Sequence, residues 1–175
     1  TAPLSECFRN PINGNDSSVT GTDIKYSGLF TSKVGDFDVN FNMVLMDESK
    51  SEAFFNGPVV NYVGLTSIPE YRYTVDVGHT LMSVPNLYMS LQYEYIDEIA
   101  DTTDANYKAT SMVDSFDQLN FRAVYTVPGM ENLSVNVAVR NLTKEDPPLT
   151  QSGTYNRLLH TDMGMQTFVG FTLEL

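Results

Sequence analysis

Residues 37–45 read Phe-Asp-Val-Asn-Phe-Asn-Met-Val-Leu, and this stretch decides the fold of the chain. Every second side chain from Phe37 to Leu45 is apolar, and the side chains between them are Asp38, Asn40, Asn42 and Val44. Successive side chains in a strand point to opposite faces of a sheet, so the spacing predicts one apolar and one mostly polar face. A single strand of this kind fits many folds, and its neighbours therefore decide the architecture.

The same alternation recurs along the chain. We predict further strands at 23–33, 71–82, 87–96, 117–127, 133–142 and 165–175. Most of them have the roughly nine to eleven residues that a tilted strand needs to cross a membrane. The fold class that explains the repetition is all-β, an antiparallel up-and-down transmembrane β-barrel, with lipid outside and water inside. We expect residues 1–22 to form an irregular N-terminal loop or arm, and residues 23–175 to form the barrel segment.

The predicted connections alternate between short and long. Short turns near 34–36, 84–86 and 128–132 alternate with long loops near 47–70, 97–115 and 143–162. Outer-membrane barrels show this asymmetry, and single-chain bacterial barrels have an even number of strands. Two explanations remain open for the odd count: residues 59–66 are an eighth strand, or the chain is the C-terminal part of a larger barrel. The second explanation is favoured because the first conflicts with the alternation of the loops.

Composition excludes several classes of function. The formal net charge is −12, so a nucleic-acid partner is not expected, because neutralising phosphates requires a basic surface. The single cysteine, Cys7, allows neither an internal disulfide nor a thiolate metal cluster. The chain lacks the motifs of haem, dinucleotide, nucleotide and zinc-protease sites. We therefore expect no cofactor, no metal centre and no enzymatic activity.

Two strand–turn–strand units carry a family resemblance. The unit at 117–142 contains Val127-Pro128-Gly129, and its echo at 71–96 contains Val84-Pro85. Together with the terminal strand, they resemble the C-terminal region of bacterial outer-membrane porins, including the OprD-like type. The resemblance implies a passive, charge-filtered channel for small solutes or ions in a Gram-negative outer membrane. It also implies contact with the lipid bilayer and lipopolysaccharide, and with other barrel strands or a homo-oligomer such as a trimer.

Charged and polar residues on the predicted polar faces are candidates for lining a pore. They are Lys25, Asp38, Asn40, Arg72, Asp76, Glu94, Arg122, Arg140 and Glu174. Because rings of charge tune the selectivity of pores, the three arginines are candidates for a basic ladder opposed by the carboxylates. The resemblance implies that such a ladder guides carboxylate solutes. The alternative is that these charges pair across strands and only satisfy a wet interior.

Other functions remain open. The barrel is alternatively a sheath or scaffold that holds another protein, such as a multihaem electron carrier, across the outer membrane. A soluble secreted β-sandwich or a lipocalin-like binding protein is a third hypothesis, and it predicts short connections at both ends. The acidic segments 47–52 and 97–104 are candidates for Ca²⁺ binding or for solvated loop charge. We expect His79 and His160 to be structural residues.

Overall fold

The structure, a computed structural model, describes residues 17–52, 57–65 and 67–174, and within them it contains strands and no helix. Cys7, most of the predicted N-terminal arm and Leu175 lie outside the described residues. The strands are β1 (Ser17–Ser32), β2 (Gly35–Glu52), β3 (Val59–Asn61), β4 (Tyr71–Leu81), β5 (Leu87–Ile96), β6 (Ile99–Thr103), β7 (Ala109–Val113), β8 (Phe116–Thr126), β9 (Leu133–Arg140) and β10 (Gln166–Leu173). The all-β prediction is confirmed.

Seven long strands form the main sheet in the order β1-β2-β4-β5-β8-β9-β10, and every neighbouring pair is antiparallel. The short strand β3 pairs with the end of β2, and β6 and β7 form a separate two-stranded sheet. Consecutive long strands are neighbours, so the predicted up-and-down order is confirmed. The sheet is open, with β1 and β10 as its two edges.

The register aligns the apolar residues of all seven long strands on one face. One row across the centre of this face contains Val39, Val77, Leu91, Phe121 and Val139, each a Cα partner of the next. Side chains alternate between the two faces along each strand, so a shift of the strand pairing by one residue would move the apolar side chains of that strand to the other face. The sheet therefore has one continuous apolar face and one continuous polar face, as the alternation predicts.

The first hairpin is longer than predicted. β1 begins at Ser17, within the predicted arm, and β2 continues to Glu52, into the segment predicted as the long loop near 47–70. The reason is that ladder pairing uses the backbone, and Ser18 and Asn61 both pair with Lys50, one from each side. The prediction of a loop that starts at residue 47 is therefore wrong for the first residues of that segment, because their polar side chains belong to a hairpin that projects beyond the rest of the sheet.

The predicted loop at 97–115 is also wrong in part, because it contains the β6–β7 hairpin. The backbone N–H groups of Asn106 and Lys108 donate to the Asp104 carboxylate at 2.8 and 3.0 Å and close the turn. At the other end of the hairpin, Ile99 and Val113 are each 1% exposed. The hairpin thus forms around three buried side chains, Ile99, Ala100 and Val113, which are too few to produce a readable alternation.

The main-sheet strands from β4 onward begin and end within two residues of their predicted bounds. The segment predicted as a possible strand at 59–66 contains only the three residues of β3. Short turns lie at one end of the sheet, and the described residues of the three long connections, at 57–65 and 67–70, at 97–115 and at 141–165, lie at the other end. The predicted asymmetry of the connections is therefore confirmed.

The fully buried apolar residues do not lie against the apolar face of the sheet. Among the described residues they are Val60, Ile99, Ala100, Val113 and Phe116, and all of them belong to the end with the long connections or to strands that begin there. Side chains on the apolar face remain half-exposed or exposed, such as Val77 and Leu91 at 39% and 45%. No second layer covers that face within the part of the chain that the structure describes.

Candidate functional site: the polar face of the sheet

The strand register brings the predicted pore-lining residues onto one face. Lys25, Asp38, Asn40, Arg72, Asp76, Glu94, Arg122 and Arg140 occupy the alternate positions opposite the apolar set, and Glu174 follows β10 at the same parity. One row across this face pairs Asn40 with Asp76, Asp76 with Gln92, and Gln92 with Asn120. The alternation in the sequence therefore located the polar face correctly.

Amide side chains hold Glu94 in a fixed position. Gln118 Nε2 and Asn120 Nδ2 donate to the two carboxylate oxygens of Glu94 at 3.1 and 2.9 Å, and Asn120 Nδ2 also donates to Gln92 Oε1 at 3.2 Å. The backbone N–H of Asn141 donates to Asn120 Oδ1 at 3.0 Å. This chain of hydrogen bonds runs across β5, β8 and β9, so it fixes a negative charge on the polar face without neutralising it.

A depression of about 450 Å³ lies in the middle of the polar face. Its lining includes Asp76, Glu94, Arg122 and Arg140, four of the predicted pore-lining residues, together with Tyr88. Carboxylates and guanidinium groups therefore line the same depression. Such an arrangement can hold or pass a small polar solute by contacts with both of its charged ends.

In the middle of the polar face the two signs of charge are separated across the sheet, whereas Lys25 on β1 and Arg72 at the start of β4 lie outside this arrangement. The carboxylates of Asp38, Asp76 and Glu94 are carried by β2, β4 and β5. The guanidinium groups of Arg122 and Arg140 are carried by β8 and β9. A solute above the polar face therefore meets a field directed from one side of the sheet toward the other.

Arg72 does not join the other two arginines. It lies at the start of β4, beside Val44 and Ile96, whereas Arg122 lies opposite Ser90 on β5. Ser90 is six residues along β5 from Ile96, and at about 3.3 Å per residue this separates the two arginines by roughly 20 Å along the strands. The hypothesis of a three-arginine ladder therefore reduces to a pair, Arg122 and Arg140, with Arg72 nearer the long connections.

No salt bridge crosses the strands of this face among the described residues, although Arg122 attracts the Asp76 carboxylate at longer range. In the described ranges the single salt bridge joins Lys50 and Glu48 at 2.6 Å, on the projecting part of the first hairpin. No arginine of the polar face lies within 4.0 Å of a described carboxylate. The arginine charges are therefore available to a solute.

Gly78 is a residue of the polar face that the sequence analysis missed. Tyr88 Oη donates to Asp38 Oδ2 at 3.1 Å, and this hydrogen bond passes directly over Gly78 on the strand between them. A Cβ atom at position 78 would collide with the Asp38 carboxylate and the Tyr88 hydroxyl. A glycine inside a strand pattern often marks such a close approach, and this was the signal available in the sequence.

The connection 141–165 covers one end of the polar face. His160 is 8% exposed and packs edge-on against Phe116, with ring centroids 5.1 Å apart. Its neighbour Leu159 lines a cavity with Val44 and Arg72, which are polar-face positions of β2 and β4. Burial lowers the pKa of the His160 imidazole. The connection therefore reaches from the β8 side of the face to the β2 side.

Side-chain hydrogen bonds tie this connection to the other two long connections. Asn156 Nδ2 donates to Ser67 Oγ at 3.1 Å, and the backbone N–H of Gln151 donates to Asp101 Oδ2 at 2.7 Å. His79, in contrast, lies on the apolar face and stacks on Phe37 with ring centroids 4.1 Å apart. Both histidines thus pack against aromatic rings, as expected for structural residues.

The acidic segments have local structural contacts. Hydrogen bonds from the backbone N–H groups of Lys108 and Asn106 lower the pKa of the Asp104 carboxyl. No three histidine, cysteine, aspartate or glutamate side chains are grouped to hold a metal ion in the ranges that the structure covers. Nor does the described chain contain a helix of the length and apolarity needed to cross a membrane.

Comparisons with known proteins identify no relative of this chain. No protein family, no curated protein and no solved structure matches it.

Proposed function

We propose that the main sheet is part of the wall of a transmembrane β-barrel in a bacterial outer membrane, and that its polar face lines a passive channel. The observation that carries this proposal is the continuous apolar face with no apolar layer packed against it in the described chain. An exposed apolar patch of this extent needs an apolar partner. Lipid is the partner that accepts a whole sheet face while water fills the other side.

The dimensions of the sheet support this location. β4 and β8 have 11 residues and β5 has 10. Strands of about 9 to 11 residues, tilted by about 45°, cross the hydrocarbon core of a bilayer. The first hairpin is longer, and its additional residues are mostly polar and lie beyond the first residue of β4. The central strands β4, β5 and β8 are therefore long enough to cross the hydrocarbon core of a bilayer.

The distribution of aromatic residues on the apolar face also supports it. Tyr73 stacks on Tyr95 with centroids 5.0 Å apart, and Tyr71 stacks on Tyr95 at 5.7 Å. These rings lie at the end of the sheet with the long connections, while the central row of the face contains four aliphatic residues and one aromatic residue, Phe121. Barrels carry aromatic girdles of this kind where the membrane meets water.

The function that follows is diffusion of small solutes or ions, filtered by size and charge. The separated charges of the polar face, with the arginine pair on one side and three carboxylates on the other, provide the filter. Arg122 and Arg140 are proposed to attract the anionic group of a solute. The Asp76 and Glu94 side chains are proposed to attract its cationic group.

The two faces can be tested with a pair of tryptophan probes, since the chain has no tryptophan of its own. Leu91→Trp and Gln92→Trp place the probe on opposite faces of β5. In lipid vesicles, brominated lipid should quench the fluorescence of Leu91→Trp, and an aqueous quencher should reach Gln92→Trp. A protein that stays soluble and monomeric without detergent, with Leu91→Trp protected from both quenchers, would contradict the membrane location.

Channel activity is measured on protein extracted from its native membrane, so that any partner strands are retained. Planar-bilayer recordings should show discrete conductance steps, and the reversal potential in a salt gradient should report the preference for anions or cations. Lipid quenching of Leu91→Trp without any conductance would retain the membrane wall and refute the channel.

A further inference from the structure

Phe168 is an aromatic residue on the polar face of the sheet. It pairs with Ala138 on β9, and Ala138 pairs with Arg122 on β8, so the three residues share one row of that face. The apolar face takes the alternate positions of β10, such as Val169 and Phe171. Phe168 is 52% exposed, so its ring faces the water side of the sheet and not a protein core. The alternation of the sequence does not account for a phenyl ring at this position.

The ring of Phe168 belongs to the central depression of the polar face. It lines the volume of about 450 Å³ together with Asp76, Glu94, Arg122 and Arg140. Sites for small molecules are typically about 300–1,000 Å³ in volume and combine apolar lining with a few polar groups that fix the orientation of the ligand. Exposing a phenyl ring to water is unfavourable, and an apolar group that covers the ring reduces this cost. The depression therefore has an apolar side in addition to its two charged sides.

The three kinds of lining group follow each other in a fixed order across the strands. Asp76 lies on β4, Arg122 on β8 and Phe168 on β10, and one strand separates each from the next. Neighbouring strands are about 4.8 Å apart, so each separation is roughly 10 Å at the backbone. Ser90 and Ala138, the partners of Arg122 on either side, are small and also line the depression. The space between the carboxylate, the guanidinium group and the ring therefore suits one small molecule.

We propose that the central depression binds an α-amino acid with an aromatic side chain. The carboxylate of this amino acid binds the guanidinium group of Arg122, its ammonium group binds the Asp76 carboxylate, and its ring stacks on Phe168. The three substituents of a single Cα atom diverge and can reach a cation, an anion and an apolar surface at once. The inference rests on the proposed channel and deepens it, because it names the class of solute and adds Phe168 as the residue that selects the ring.

The carboxylates of the depression argue for a solute that carries a positive charge as well as a negative one. Glu94 is fixed by hydrogen bonds from Gln118 and Asn120, and it lines the depression together with Asp76. An aromatic anion without a positive group would be attracted by the arginines and repelled by these two carboxylates. Like charges placed next to each other disfavour the wrong partner. An ammonium group turns this repulsion into attraction, so a zwitterion is favoured over a simple aromatic carboxylate.

Phenylalanine and alanine are matched probes for the ring, because they carry the same two charges and differ in the phenyl group. Their binding is measured by equilibrium dialysis of the radiolabelled amino acids against the full protein, extracted from its native membrane in detergent. We expect phenylalanine to bind about tenfold more tightly than alanine, the upper range of the effect that a stacked aromatic pair adds. Equal affinities would overturn the inference.

Variants of β10 test whether Phe168 selects the ring. Phe168→Ala should reduce the preference for phenylalanine over alanine to less than twofold, and Phe168→Tyr, which keeps a ring, should retain it. Phe171→Ala is the matched control, because Phe171 is an exposed phenylalanine on the opposite face of the same strand. A preference that survives Phe168→Ala, or that Phe171→Ala removes equally, would overturn the role of Phe168.

The probe 3-phenylpropanoate, which is phenylalanine without its amino group, tests the contact of the ammonium group. We expect it to bind at least fivefold more weakly than phenylalanine, and the double variant Asp76→Asn/Glu94→Gln should abolish this difference. If 3-phenylpropanoate binds the wild-type protein as tightly as phenylalanine does, the solute is not an amino acid and the inference fails.

Equilibrium dialysis requires neither lipid nor transport, so this inference and the proposed function can fail separately. Conductance in planar bilayers without a preference for phenylalanine would refute the inference alone. A preference for phenylalanine that depends on Phe168, in a protein without conductance, would retain the binding site and refute the channel.

Discussion

Gly78 is a closely packed position of the polar face. A Cβ atom there would meet the Asp38 carboxylate and the Tyr88 hydroxyl, and it would break the hydrogen bond between them. We predict that Gly78→Ala lowers the free energy of unfolding by roughly 1–3 kcal/mol, because overpacking forces the neighbours to move. Denaturant unfolding in detergent micelles measures it.

Gly164→Ala is the matched control for this substitution. Gly164 has no heavy atom within 4 Å of an added Cβ, and it lies in the connection 141–165 rather than in a strand. We expect its effect to stay within about 0.5 kcal/mol, as for most open surface positions. If the two variants have the same stability, the packing over Gly78 does not constrain the polar face.

Arg122 and Arg140 are predicted to determine the ionic preference of the proposed channel. The double variant Arg122→Gln/Arg140→Gln should lower the anion-to-cation permeability ratio several-fold, because both guanidinium groups face the central depression without a described carboxylate within 4.0 Å. Arg72→Gln is the control, since Arg72 lies at the start of β4, and its effect should be smaller. Reversal potentials in a salt gradient measure the ratio, and an unchanged ratio in the double variant would exclude the arginine pair as the filter.

Among the elements, the connection 141–165 is the one whose packing should respond to pH. Burial holds the pKa of His160 below its ordinary value of 6.5. Between the folded pKa and 6.5 the unfolded state binds the extra proton, so the stability of this packing is complete above 6.5 and falls as the pH falls through that window. Hydrogen exchange in residues 149–160 should therefore accelerate several-fold below pH 6.5, beyond the intrinsic effect of pH on exchange.

His160→Phe is the control for this pH dependence. A phenyl ring keeps the contact with Phe116 but removes the titrating group. We expect exchange in this variant, corrected for its intrinsic pH dependence, to be unchanged between pH 7.5 and 5.5. Acceleration that persists in His160→Phe would assign the effect to another group.

The elements also show what a sequence can and cannot predict. Alternation predicted the main-sheet strands from Tyr71 onward because each of these strands separates an apolar from a polar surface. It missed the end of β2, which is held by backbone pairing, and the β6–β7 hairpin, which forms around three buried side chains. It also missed the cover over the polar face, because the contact between Asn156 and Ser67 spans 89 residues and leaves no local pattern.

For the whole molecule, the decisive property is the difference between its two faces. Val77 lies at the centre of the apolar face, and Thr74 lies on the polar face of the same strand between Asn42 and Glu94. We predict that Val77→Arg destabilises the protein folded in lipid vesicles by about 2–4 kcal/mol, the cost of arginine near the middle of a bilayer. Thr74→Arg should cost much less, because its charge would remain in water beside a carboxylate.

Guanidinium unfolding in lipid vesicles measures the free energy of unfolding of both variants. The same measurement in detergent-free buffer tests the alternative of a soluble sandwich. A sandwich would bury Val77 in a protein core and would lose stability to Val77→Arg in buffer without lipid. If the sheet is a membrane wall, the wild-type chain should show no cooperative unfolding transition in that buffer, because no lipid is present to cover its apolar face. A cooperative transition without lipid, abolished by Val77→Arg, would therefore refute the membrane wall.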